Sequence, residues 1–234
     1  TCRDWSSDVC SSDLLAEDYG LIETLRWSGG YVRLALHLDR LGASAAALDF
    51  RFDREQALAQ LAEIEASFPA GKDRRVRCEL HRDGTLQINT APMPRAADGV
   101  LRIAVASQPV DAGDPFLRHK TTRRAVYDRA SAEASADGCD DAVLLNRQGY
   151  VTETSRSTIF VERDGVLLTP PLEHGLLPGV LRRELIDTGA AREAPLRLDD
   201  LRQAVRWFVG NSLRALQLAK IAGSALASDT PNQK

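Results

Sequence analysis

Lysine is scarce in this chain of 234 residues. Only Lys72, Lys120, Lys220 and Lys234 occur, so nearly all of the 30 basic residues are arginine. A guanidinium stays protonated, whereas an amine can shed its proton and act as a nucleophile or base. That chemistry is available at four positions only. Cysteine is equally sparse: four residues, none in a CxxC pair. This excludes a disulfide scaffold and a zinc ribbon, and it suits a reducing cytoplasm. No apolar run approaches the ~20 residues of a membrane span. The net charge of -3 leaves no basic surplus to hold nucleic acid. His37, His81, His119 and His174 lack partners at metal-ligand spacing, so no metal is expected. The 44% hydrophobic content is ordinary for a globular protein, and the length suffices for one large core or two small ones.

Residues 1–13 stand apart. They repeat Ser-Ser-Asp, carry Cys2 and Cys10, show no helical or strand period and lack the features of a signal peptide. They read as a foreign or disordered leader and resemble translated adapter sequence. Residues 14–107 read as a small α+β unit. In it, strand 21–27 and a turn at 28–30 lead to a second strand at 31–34, then helices near 36–48 and 57–68, a hairpin at 76–88 and a strand at 101–106. Residues 108–118, with Pro109, Gly113 and Pro115, read as a linker. Residues 119–234 read as the second domain. It begins with a helix at 121–134, continues with strand pairs at 142–152 and 157–169, and adds helices at 180–187 and 198–204. Strand 206–209, a turn at Gly210-Asn211 and a strand near 218–221 follow.

Four short segments carry candidate chemistry: Arg40 in His37-Leu-Asp-Arg-Leu41; Lys120 in His119-Lys-Thr-Thr-Arg-Arg124; Glu153 in Glu153-Thr-Ser-Arg-Ser-Thr-Ile-Phe160; and Leu177-Pro-Gly-Val-Leu-Arg182, which opens a helix. Singly, each has a bland reading as surface charge or helix punctuation. Together they meet one need. Pyridoxal phosphate takes a lysine for covalent attachment and a carboxylate opposite its pyridine nitrogen. Its phosphate suits a helix N-terminus aided by an arginine.

The ordered set resembles the fold-type IV pyridoxal-phosphate enzymes, the class IV aminotransferase family, over residues 21–222. That resemblance implies an α+β fold with a small sandwich domain and a larger pseudo-barrel domain. It also implies pyridoxal 5'-phosphate as cofactor, with Lys120 as the covalent lysine, Glu153 as the pyridinium partner and Arg40 on the phosphate. Val180 and Leu181 would give backbone N–H groups to the phosphate. Gly210, Asn211 and Ser212 would form a second phosphate turn, and Leu177 would pack on the cofactor ring. The wording around residues 21–26, 119–124, 153–160 and 210–214 is most similar to the 4-amino-4-deoxychorismate lyase branch, as found at the end of some bifunctional synthase chains. This implies conversion of aminodeoxychorismate to 4-aminobenzoate and pyruvate in folate biosynthesis, a homodimer, and a fused or associated synthase domain. The absence of the family's usual opening segment fits a chain taken from a longer fusion, and equally a truncated assembly whose start was overwritten by the foreign leader. A branched-chain or D-amino-acid aminotransferase is the alternative, and a non-catalytic domain paired with a synthase is a third.

Two positions depart from the family pattern. Thr158 replaces an Asn common in the family, and Ala125 stands where many transaminases have a Tyr. Tyr127, two residues on, is expected to pack in the core. Arg123, Arg124 and Arg156 are candidates for a substrate carboxylate by charge alone.

Overall fold

The computed structural model describes residues 19–95 and 99–223, so the leader at 1–13 lies outside the described residues. Strands Leu21–Trp27 (β1), Arg74–Leu80 (β2) and Leu86–Pro92 (β3) form an antiparallel sheet in the order β1-β2-β3. Strand alternation assigns the faces. Leu25, Trp27, Val76 and Cys78 point to one side. There they pack with Leu38 of helix α1 (Leu34–Ala47) and with Ala57 and Leu61 of helix α2 (Arg54–Glu65). Full burial of each such large apolar side chain is worth about 1.5–3 kcal/mol. Helix α2 starts on Asp53, whose side chain accepts the Gln56 N–H and satisfies an end amide. The other face of the sheet carries the cross-strand pair Thr24 and Arg77, and both line the cavity described below.

Residues 31–34 do not form the strand that their sequence predicts. Only the bridge Trp27–Tyr31 forms. Arg33 then takes a left-handed conformation and α1 begins at Leu34. The Tyr31 hydroxyl instead donates to the Leu61 carbonyl of α2 at 2.8 Å.

The second sheet has eight strands. They are Leu101–Val105 (β4), Asp141–Leu145 (β5), Val151–Thr154 (β6), Thr158–Arg163 (β7), Val166–Thr169 (β8), Ala191–Glu193 (β9), Trp207–Asn211 (β10) and Ala215–Ile221 (β11). Their order is β10-β11-β4-β5-β6-β7-β8-β9, and β10 also pairs with β7. That extra pairing closes β10, β11, β4, β5, β6 and β7 into a ring without edges, and β8 and β9 extend from β7 outside it. Ile103, Val143, Val151, Ile159, Trp207 and Val209 share its core. Strand β4, grouped with the first half by its position in sequence, pairs parallel with β5 and β11 in this sheet. Helix α3 (Ala125–Ala136) packs through Ala130 and Ala134 on Ala142 and Leu144. Helices α4 (Val180–Asp187) and α5 (Leu198–Gln203) complete the described fold.

Helix α3 begins four residues later than its sequence predicts, and this matters for the site. Residues 120–122 run as an extended segment beside β1. Lys120 O accepts Ile22 N–H at 2.7 Å, and Thr122 N–H donates to Gly20 O at 2.9 Å. The β-branched pair Thr121-Thr122 suits that extended backbone.

Candidate active site

A cavity of about 420 Å³ opens between the two sheets. Both sheets line it, together with the 119–124 segment, the start of α4 and the turn between β10 and β11. Every candidate singled out in the sequence faces it: Arg40, Lys120, Glu153, Leu177, Val180, Leu181, Gly210, Asn211 and Ser212.

Lys120 enters from the extended segment pinned to β1. Its remaining exposed surface lines the cavity, and burial, joined by the charges of Arg40 and Arg124, lowers its amine to about 8. A large neutral fraction is therefore present near pH 8, which a surface lysine would not have.

Glu153 lies on β6, buried, opposite Thr158 of β7. Burial raises its carboxyl to about 7, against the lowering pull of Tyr127, the Leu177 amide and Lys120. The Tyr127 hydroxyl donates to Glu153 Oε1 at 2.8 Å, and the Leu177 N–H donates to the same oxygen at 3.1 Å. Both bonds fall on Oε1, so Oε2 is the oxygen left for the cavity. Tyr127 packs against the core beneath α3, as its sequence position suggests, and its hydroxyl makes it a site residue as well. The late start of α3 brings it round to β6.

Arg40 projects from α1. Its Nε and Nη2 donate to the two oxygens of Glu23 on β1, at 2.8 and 2.7 Å, and its Nη1 donates to Pro178 O at 3.2 Å. His37, one helical turn earlier, joins Glu23 through Nδ1 at 2.6 Å and Ser212 Oγ through Nε2 at 2.8 Å. Burial alone would raise the Glu23 carboxyl, but Arg40 and His37 outweigh it and hold it at about 2.

Helix α4 starts at Gly179 without a side-chain cap, which leaves first-turn amides for another acceptor. Space there depends on glycine. A Cβ on Gly179 would lie 2.6 Å from Thr158 Oγ1, and one on Gly210 would lie 2.8 Å from Leu216 Cδ2. Asn211 folds its own turn: its Oδ1 accepts the amides of Leu213 and Arg214 at 3.0 and 2.9 Å. A helix N-terminus, an arginine and a glycine turn facing one cavity make an anion cradle.

The family model for amino-transferase class IV matches residues 20–221. The chain belongs to the class IV aminotransferase family. Among class IV relatives, a putative aminodeoxychorismate lyase of Schizosaccharomyces pombe is 29% identical over 85% of this chain and 87% of its own length. A bifunctional aminodeoxychorismate lyase / D-amino acid transaminase of Mycobacterium tuberculosis is 27% identical over 88% of this chain and 83% of its own. Among solved structures, a putative amino-acid aminotransferase from Mesorhizobium loti is 41% identical with TM-score 0.81, covering 87% of this chain and all of that one. A hypothetical aminotransferase from Mycobacterium tuberculosis in its PLP-bound form is 25% identical with TM-score 0.77, covering 91% of this chain and 84% of that one. The class IV fold is therefore shown, and the chain is an enzyme of that family.

Glu23, His37 and Tyr127 were not singled out as site residues by sequence reasoning. A signal for Glu23 exists. It shares strand parity with Leu21, Leu25 and Trp27, so it is a carboxylate on the core side of β1, where a charge needs partners. His37 and Arg40, three apart on α1, supply them. No local signal marks Tyr127.

Proposed function

We propose that the cavity binds pyridoxal phosphate at Lys120 and that the enzyme converts 4-amino-4-deoxychorismate to 4-aminobenzoate and pyruvate. The observation that carries this reading is the charge of the cavity around the Lys120–Glu153 pair. Lys120 and seven arginines line it (40, 75, 77, 123, 124, 156 and 214), against Asp140, Asp141 and Glu153. Glu23, Glu79 and Asp128 behind the walls pair with Arg40, Arg77 and Arg124, and the surplus that remains favours anionic contents: a phosphate, together with a substrate bearing two carboxylates. The cradle of Arg40, the α4 amides and the Gly210–Ser212 turn fits the phosphate, and the buried Glu153 fits a pyridinium nitrogen. The relatives agree in part, since both lyases and aminotransferases are named among them.

Pyridoxal phosphate, when bound, supplies an electron sink for the carbon that carries the substrate nitrogen. The protein's part is proton management. Lys120 Nζ, held near neutrality, takes the proton from the amine-bearing ring carbon. Glu153, anchored by Tyr127 and Leu177, would hold its carboxylate toward the ring nitrogen and favour the protonated ring. The bond between the ring carbon and the ether oxygen then breaks, the departing enolpyruvate takes up a proton on its methylene carbon to become pyruvate, and the six-membered ring becomes aromatic. Arginines of the walls hold the carboxylates and so orient the leaving ether. A homodimer in the cytoplasm, with a synthase domain fused or associated, belongs to the same reading.

A second reading is an aminotransferase on the same scaffold, favoured by the Mesorhizobium loti structure at 41% identity. One assay separates them. Aminodeoxychorismate alone, with no oxo acid, is expected to give equal amounts of 4-aminobenzoate and pyruvate over many turnovers. No 4-aminobenzoate, with sustained amino transfer from a branched-chain or D-amino acid to 2-oxoglutarate, would establish the second reading instead.

A further inference from the structure

The Glu23 carboxylate touches neither the substrate space nor the α4 start, yet it organises both sides of the anion cradle. Its side chain and that of His37 are each 2% exposed, while Arg40 keeps 11%. A guanidinium has five N–H donors. Glu23 takes two of those on Arg40 and Pro178 O takes a third, which leaves two. The fork to Glu23 fixes the plane of the guanidinium, so the remaining donors have a set direction. From the same carboxylate, His37 reaches Ser212, which follows β10 in the larger sheet. One buried anion on β1 thereby ties α1, the start of α4 and the β10–β11 turn into one unit. Arg33 reinforces it, through Glu184 of α4 at 2.7 Å and Ser212 O at 3.5 Å.

We propose that Glu23 and His37 are positioning residues of the anion site: Glu23 aims Arg40, and His37 anchors the Ser212 turn to the same carboxylate, so affinity for a phosphomonoester depends on a carboxylate that does not line the cavity and on the imidazole that links it to the turn. This rests on the reading that the cavity takes pyridoxal phosphate. An alternative design would leave Arg40 free to swing toward the ligand. That would cost side-chain entropy on binding, and a prefixed guanidinium avoids it. Replacing Glu23 by Gln keeps the size but removes the charge and turns one of the two acceptor oxygens into an amide donor facing the guanidinium, and charge-assisted bonds are the stronger kind.

The test compares pyridoxal phosphate with pyridoxal, which lacks the phosphate but offers the same aldehyde to Lys120. Cofactor-free protein is titrated with each compound, and binding is followed by absorbance and by tryptophan fluorescence. For E23Q, the expected result is a tenfold to hundredfold weaker affinity for pyridoxal phosphate, the range of one or two charged hydrogen bonds, in order of magnitude, with pyridoxal affinity within about threefold of the parent. For H37L and S212A, a smaller loss of the same selective kind is expected, and the two should be non-additive because they sever the same link. These variants keep the test open if E23Q does not fold. Inorganic phosphate should protect the parent against thermal unfolding more than it protects the variants. Equal weakening toward both compounds would show a merely structural role and overturn the proposal, as would unchanged affinity. If the parent itself binds neither compound at Lys120, the reading of the cavity falls, and that result is distinct from a parent that binds while E23Q binds equally well.

Discussion

Tyr127 and Glu153 are 26 residues apart in sequence and joined by a 2.8 Å hydrogen bond, phenol to carboxylate. The bond favours the charged form of a carboxyl that burial pushes up to about 7. The same contact, with burial as the larger cause, drives the phenol far above its ordinary range, so Tyr127 stays a donor. Tyr127→Phe removes a donor to the carboxylate and leaves the burial. The Glu153 carboxyl should then rise further, by about one pKa unit or more for a bond worth about 1.5 kcal/mol. The acid limb of the kcat/KM profile is expected to move to higher pH by that amount. An unmoved limb would mean that Tyr127 does not act through Glu153.

Lys120 should destabilise the cofactor-free protein at neutral pH. Its folded pKa is lowered, mainly by burial, to about 8, below the value of an unfolded lysine. A depressed pKa gives stability that is present above the unfolded value and lost as pH falls through the folded one. At pH 7 the buried ammonium therefore costs on the order of a few kcal/mol. Lys120→Met should raise the Tm of the cofactor-free chain at pH 7, and the gain should shrink toward pH 10. Thermal melts across that range test it. A lower Tm at pH 7 would contradict the argument.

Gly179 should be replaceable only together with Thr158. Its φ of -60° suits any residue, so an alanine there meets no backbone strain. The obstacle is Thr158 Oγ1, 2.6 Å from the new Cβ. Gly179→Ala should push the α4 start out of place and weaken pyridoxal phosphate binding by about tenfold, the scale of one lost hydrogen bond. Adding Thr158→Ala should recover most of the loss. Cofactor titration of the single and double variants decides it, and failure of the second substitution to help would place the cause elsewhere.

Borohydride reduction of the cofactor-loaded protein, followed by peptide mapping, should place the pyridoxyl group on Lys120. Labelling of Lys72 or Lys220 instead would overturn the assignment. Lys120→Ala should lose at least the ~10²–10⁴-fold typical of a general acid–base group.

Much of this protein was legible in the chain itself. The scarcity of lysine narrowed the amine to four positions, and the ordered segments around Arg40, Lys120, Glu153 and Pro178-Gly179 picked out Lys120 and pointed to one family, since each is local wording that survives without a fold. Helix α4 matched its expected bounds because Pro178-Gly179 punctuates its start. The hairpin of β2 and β3 could be read from alternation and the turn between the strands. Other features only the tertiary structure decided. Residues 31–34 have strand-like composition, but their pairing depended on whether α2 offered a better partner. Strand β4 belongs to the larger sheet because β5 and β11, distant in sequence, supply its hydrogen bonds. The partnerships of Glu23 with His37 and Arg40, of His37 with Ser212 and of Tyr127 with Glu153 span 14 to 175 residues. Sequence pattern reports periodicity along one element, whereas a buried hydrogen bond depends on where two elements meet. That meeting is set by packing of the two sheets around the cavity.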